Sequence, residues 1–145
     1  MDTVGRETDS RDAEARRSAV EVVYATGYWL LARDRIADAA AALRLMVRAE
    51  PSDERGWLGL GECHERIGQP RIAAELYGVG SVAASRTGCP SIRCLLARAR
   101  VLRSIERDGE ADAALEAAAS ATQVLSDDAL SALVAHEQSN RTRQS

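Results

Sequence analysis

No stretch of this 145-residue chain approaches the roughly 20 consecutive apolar residues needed to cross a bilayer, so no membrane span is expected. The opening residues Met1 to Ser10 are polar and acidic and lack the apolar core of a signal peptide. An excess of basic charge is also missing. At a formal net charge of −3 the chain is a poor general binder of nucleic acid or anionic membrane, since both draw affinity from surplus cations. Lysine is absent and all 19 basic residues are Arg, from which no function follows. Cysteine is scarce and odd in number: Cys63, Cys89 and Cys94 cannot all pair within one chain, which agrees with a reducing compartment and a cytoplasmic location. Cys89 and Cys94 lack zinc-site spacing with His64 or His136, so no metal or other cofactor is expected. Adjacent helical residues point about 100° apart, which prevents Cys63 and His64 from forming a thiolate–base pair.

What the chain does have is a repeat. In Gly56 to Tyr77, Trp57 and Leu60 share one helical face, Gly61 leaves room for a neighbouring helix, Gly68 opens a turn, and Ala73 and Tyr77 face back from a second helix. The same frame lies upstream: Val23 matches Trp57, Gly27 matches Gly61, Ala39 matches Ala73, Leu43 matches Tyr77 and Met46 matches Gly80. That spacing is the tetratricopeptide period of about 34 residues. Glycines 56, 59 and 61 therefore sit inside a helix, where a phosphate loop does not form. Repeats of this kind bind segments of other proteins, so the chain is expected to be a binding protein rather than an enzyme.

The spacing predicts an all-α fold of three stacked hairpins in one domain over residues 10–138. The hairpins cover about 10–51, 52–86 and 90–125, with a capping helix over 126–138. A flexible arm (1–9) and a flexible tail (139–145) flank them. Asp9 or Ser10 caps the first helix and Ser52 caps the third, after Pro51 stops the second. Matching Gly109 and Ala114 to Gly68 and Ala73 sets the third unit 41 residues after the second, seven more than the period. Those seven belong either in its first helix or in the preceding loop. Arginines crowd between Arg86 and Arg107, and acids fill Asp108 to Glu137 without any Arg. Two neighbouring helices with paired, solvated edges would produce that segregation.

In a hairpin repeat the first helix of each unit lines the concave surface. Its inward positions are Tyr24, Tyr28 and Leu31 in the first unit and Leu58, Glu62 and Glu65 in the second. The tyrosines either complete a core seam or, as rings with polar tips, line a groove for an extended peptide.

The string Trp57-Leu-Gly-Leu-Gly-x-Cys63, followed by Gly68, Ala73, Tyr77 and Gly80, resembles the class II chaperones of bacterial type III secretion, the tetratricopeptide chaperones of translocator subunits. Family aromatics lie where Tyr24 and Tyr28 are, and family tyrosines occupy the places of Leu31 and Ile36. The resemblance implies a cytoplasmic, non-enzymatic chaperone, often a homodimer, that grips an extended segment of a hydrophobic translocator in its groove. A needle-subunit co-chaperone and a generic tetratricopeptide scaffold are the alternatives.

Overall fold

The computed structural model describes residues 3–86, 88–125 and 128–144, and these form seven helices. They are α1 (Thr3–Ala32), α2 (Ile36–Ala49), α3 (Glu54–Arg66), α4 (Pro70–Ala83), α5 (Ile92–Ser104), α6 (Asp108–Leu125) and α7 (Asp128–Gln144). Each helix packs on the next, so α1–α2, α3–α4 and α5–α6 are antiparallel hairpins and α7 covers the last of them.

The hairpin turns reveal the true repeat. Each contains a left-handed residue: Asp34 (φ 60°), Gly68 (φ 75°) and Glu106 (φ 62°). Asp34 precedes Gly68 by the expected period, but Glu106 follows Gly68 by 38 residues, and Gly109 lies inside the first turn of α6. The third unit thus carries four extra residues rather than seven. In this register Ala39, Ala73 and Ala111 are equivalent and all fully buried, as are Leu43, Tyr77 and Leu115 at 0–2% exposure. Gly27, Gly61 and Ala99 are the small residues between helices, and Met46, Gly80 and Ala118 follow one turn later. The insertion sits between α4 and α5, where residues 84–91 replace the short connection 50–53. An Arg86–Cys89 bridge and a bond from Ser91 N to Ser81 O (2.8 Å) hold that loop.

A glycine in a sequence suggests the turn, yet the backbone here puts glutamate in the left-handed position, which costs an L-residue about 1–2 kcal/mol. Glu106→Gly is therefore expected to raise stability by about 0.5–1 kcal/mol after the added unfolded-state entropy is subtracted. Urea titration checks this; a destabilised variant would refute the strain.

Caps and ends differ from the sequence expectation in several places. Asp53, not Ser52, caps α3 by accepting from Arg55 N at 3.0 Å, because Ser52 turns to Glu50 instead. Ser91 caps α5 through Cys94 N. The arm expected over 1–9 is helical from Thr3, since good helix formers follow and neither Asp9 nor Ser10 breaks the helix. The tail expected over 139–145 is helical through Gln144, so α7 outruns the capping helix expected over 126–138. Met1, Asp2, Ser126, Asp127 and Ser145 lie outside the described residues.

The largest fully buried side chain is Tyr77, whereas Trp57 is half-buried, lies across Gly80 and donates from Nε1 to Pro51 O at 2.8 Å. Cys63 and Cys94 are fully buried small core residues. Burial raises the thiol of Cys63 and pushes that of Cys94 up to about 11. No helix is long and apolar enough to cross a membrane among the described residues.

Candidate peptide-binding groove

The first helices of the units approach one another in series, α1 with α3, α3 with α5 and α5 with α7, while among the described residues the backbones of α2, α4 and α6 make no such close approach. The stack therefore curves with α1, α3, α5 and α7 on its inner side, and the groove runs across them.

At the α1 end, Tyr24 and Tyr28 are half-buried, with ring centroids 4.8 Å apart and planes tilted by 52°. The Arg55 guanidinium lies 4.3 Å from the Tyr24 ring centroid. It is held there by Asp53 at 2.7 Å and by Glu21, to which its other terminal nitrogen donates at 3.1 Å. A cation over a ring face is attracted by the ring quadrupole, which favours this placement of Arg55 on Tyr24. Burial pushes the Tyr28 hydroxyl up to about 12, helped by Tyr24 and Glu62 nearby, so the ring presents a neutral donor at neutral pH.

In the middle, Leu58, Tyr77 and Ala97 floor a hollow of about 490 Å³ rimmed by Glu62, Glu65, Arg66 and Arg100. Arg100 donates both terminal nitrogens to Glu65, at 2.7 and 2.8 Å, and Tyr77 Oη donates to the same carboxylate at 2.6 Å. Glu62 pairs with Arg66 at 2.7 Å, and Arg66 also donates to Leu31 O at 3.0 Å. The rim charges are thus compensated, and the apolar floor lies between fixed hydrogen-bonding groups.

The Glu65 network is sensitive to acid. Burial alone would raise its carboxyl, but the Arg100 fork and the Tyr77 hydroxyl outweigh burial and hold it below its usual 4.5. A carboxyl depressed in the folded state adds stability that is present above pH 4.5 and is lost as pH falls through the folded value. Glu65→Gln should therefore lose less stability than the native chain on acidification below that pH. Parallel acid-unfolding curves would refute the assignment.

Towards the other end, a second hollow of about 310 Å³ shares Leu58, Ala97 and Arg100 with the first and adds Leu96 from α5 with Leu133 and His136 from α7. The charge segregation of the sequence resolves here in an unexpected way. Arg93 and Arg100 of α5 reach back to Glu54 and Glu65 of α3, while Arg103 lies 3.7 Å from Asp112 and 3.8 Å from Glu137, tying α5 to α6 and α7.

Five of the expected groove residues, Tyr24, Tyr28, Leu58, Glu62 and Glu65, thus fall on the inner faces of α1 and α3. Two do not. Leu31 is 2% exposed and belongs to the core formed with Leu43 and Leu60, because its turn of α1 is covered by α2 and α3. Ile36 begins α2 and lines a separate hollow with Arg44, His64 and Ile67. Sequence spacing missed Leu96, Ala97 and Arg100 of α5 and Leu133 of α7. With the 38-residue offset, Leu96 and Arg100 repeat Leu58 and Glu62, but that offset is hidden while Gly109 is taken for the turn.

Neither the protein-family models nor the curated protein sequences give a match to this chain. Solved structures do. The Yersinia enterocolitica type III secretion translocator chaperone SycD aligns with a TM-score of 0.67 at 21% identity, over 86% of this chain and 84% of that one. PcrH in complex with the chaperone binding region of PopB aligns with a TM-score of 0.70 at 20% identity, over 84% of this chain and 94% of that one. PcrH from Pseudomonas aeruginosa without a named partner aligns with a TM-score of 0.69 at 20% identity, over 84% and 88%. At these identities the likeness establishes the fold: this chain has the tetratricopeptide architecture of the type III secretion translocator chaperones.

Proposed function

We propose that the protein is a non-enzymatic, cytoplasmic type III secretion chaperone that holds an extended segment of a hydrophobic translocator in its inner groove. The observation that carries this reading is the inner surface itself, with the Tyr24–Tyr28 pair on α1 and two adjoining hollows that share Leu58, Ala97 and Arg100 and reach Leu133. Supporting it, PcrH has been solved with the chaperone binding regions of PopB and PopD, and SycD with a peptide of the translocator YopD.

The mechanism is occlusion. Side chains of the segment enter the two hollows, and its backbone meets the Tyr28 hydroxyl and the arginine and glutamate rim. A segment bound at about 1 μM gains about −8.2 kcal/mol, enough to keep an aggregation-prone stretch covered. No bond is made or broken.

Co-expression with the large apolar proteins encoded beside this gene tests the proposal. One of them should move from the insoluble to the soluble fraction and co-purify with the chain. If none gains solubility, the chaperone reading fails and a scaffold takes its place.

A further inference from the structure

Two rows of side chains cross the inner face of the stack. With the offsets of 34 and 38 residues that the turns fix, Tyr24, Leu58 and Leu96 hold one equivalent position of α1, α3 and α5. Tyr28, Glu62 and Arg100 hold the position one helical turn later. The first row is aromatic or aliphatic and the second is polar. Each polar member is committed differently: Tyr28 keeps a neutral hydroxyl, Glu62 is paired with Arg66 at 2.7 Å, and Arg100 is gripped by Glu65.

Arg100 stands at the boundary of the two hollows, both of which it lines. Its guanidinium is not free to swing. Both terminal nitrogens donate to Glu65, at 2.8 and 2.7 Å, and that carboxylate also accepts from Tyr77 at 2.6 Å. Tyr77 is fully buried, so the plane of the guanidinium is set from inside the core. The group has five N–H donors in that plane and the fork uses two, which leaves three. They belong to a side chain that is 54% exposed, between one apolar hollow and the next.

The surroundings decide what these donors can meet. A guanidinium only donates, so its partner must be an acceptor. A carboxylate is disfavoured, because Glu65 already neutralises Arg100, Glu62 lies on the same rim and Glu137 lines the second hollow. A neutral carbonyl fits. In an α-helix every carbonyl but the last four is engaged within the helix, whereas an extended segment presents one at each residue.

We propose that Arg100 sets the register of the client segment by donating to a backbone carbonyl between the two side chains that fill the hollows, with Glu65 as the positioning residue that aims it. This rests on the groove reading above and adds a fixed point to it. Apolar side chains can slide along an apolar floor, but a segment hydrogen-bonded between the hollows has one register.

The test takes the translocator segment recovered by co-expression as a synthetic peptide and replaces its amides by esters one at a time, weakening one carbonyl acceptor at each step. Calorimetry against the full chain should find one ester position, between two apolar residues of the segment, that lowers affinity about tenfold, as losing a hydrogen bond to a charged group does. Arg100→Met keeps an unbranched stem and removes every donor. It should bind the all-amide segment about tenfold more weakly and be indifferent to that ester, with a thermal melt showing it folded at the titration temperature. Glu65→Gln breaks the two-point grip and should reduce the sensitivity to the same ester although Arg100 is present, which loss of a merely structural carboxylate would not do. Full affinity in Arg100→Met, or the same ester profile in that variant and the native chain, would overturn the proposal and leave the groove reading standing. Coupling of Arg100 to an acidic side chain of the segment, in place of a carbonyl, would overturn it as well. A segment that fails to bind the native chain removes both readings.

Discussion

Replacing Gly61 with alanine is expected to cost about 3 kcal/mol of stability, at the upper end of the usual penalty for overpacking a core. A β-carbon at Gly61 would lie 2.2 Å from Tyr77 Cε1 and 2.4 Å from Cζ, closer than real atoms sit. The clash would be cheap if the ring could swing away. Tyr77, however, is 2% exposed, and its hydroxyl is held by Glu65, which Arg100 grips in turn. Either the ring leaves its hydrogen bond or α3 and α4 separate. Urea titration measures the cost, and a loss under about 1 kcal/mol would mean the ring relocates freely. A double-mutant cycle with Tyr77→Leu isolates the contact: the two losses should be strongly non-additive, because removing the ring removes the clash.

The second large effect concerns the groove. Tyr24→Ala and Tyr28→Ala should each weaken client binding by about 2 kcal/mol, roughly thirtyfold in affinity, as truncating an aromatic anchor at an interface does. Both rings are half-buried in the free protein, so some folding stability is lost as well. The two effects separate when the translocator segment recovered by co-expression is titrated into each variant beside its thermal melt. A variant that is folded at the titration temperature yet keeps full affinity removes the tyrosines from the site. Leu31→Ala should behave in the opposite way, lowering the melting temperature and leaving the affinity of the folded fraction unchanged, because Leu31 is enclosed by α2 and α3.

Much of the architecture was legible because a hairpin repeat writes its packing into single positions. Gly61 is small because Tyr77 crosses it, and Gly80 because Trp57 does; both contacts follow from residues on adjacent helices at fixed offsets. The groove was half legible. Tyr24, Tyr28, Leu58, Glu62 and Glu65 follow from helical phase alone, but Leu96, Ala97 and Arg100 depend on the third unit's register, which the sequence disguises. Glu106 adopts a conformation that glutamate seldom marks, while Gly109 imitates a turn and lies inside α6.

The sequence by itself determined the class of fold, the two well-formed repeats and the residues at which their helices meet, because those depend on local propensity and on contacts between neighbouring elements of fixed spacing. Tertiary structure decided what depends on how the units stack. It placed the four-residue insertion in the α4–α5 connection, buried Leu31, moved Ile36 to another hollow, and brought Leu133 of α7 to the same surface as Leu58 of α3. Helical phase tells which side of a helix is apolar, but only the neighbours a helix acquires in the stack decide which side is enclosed and which remains open to a partner.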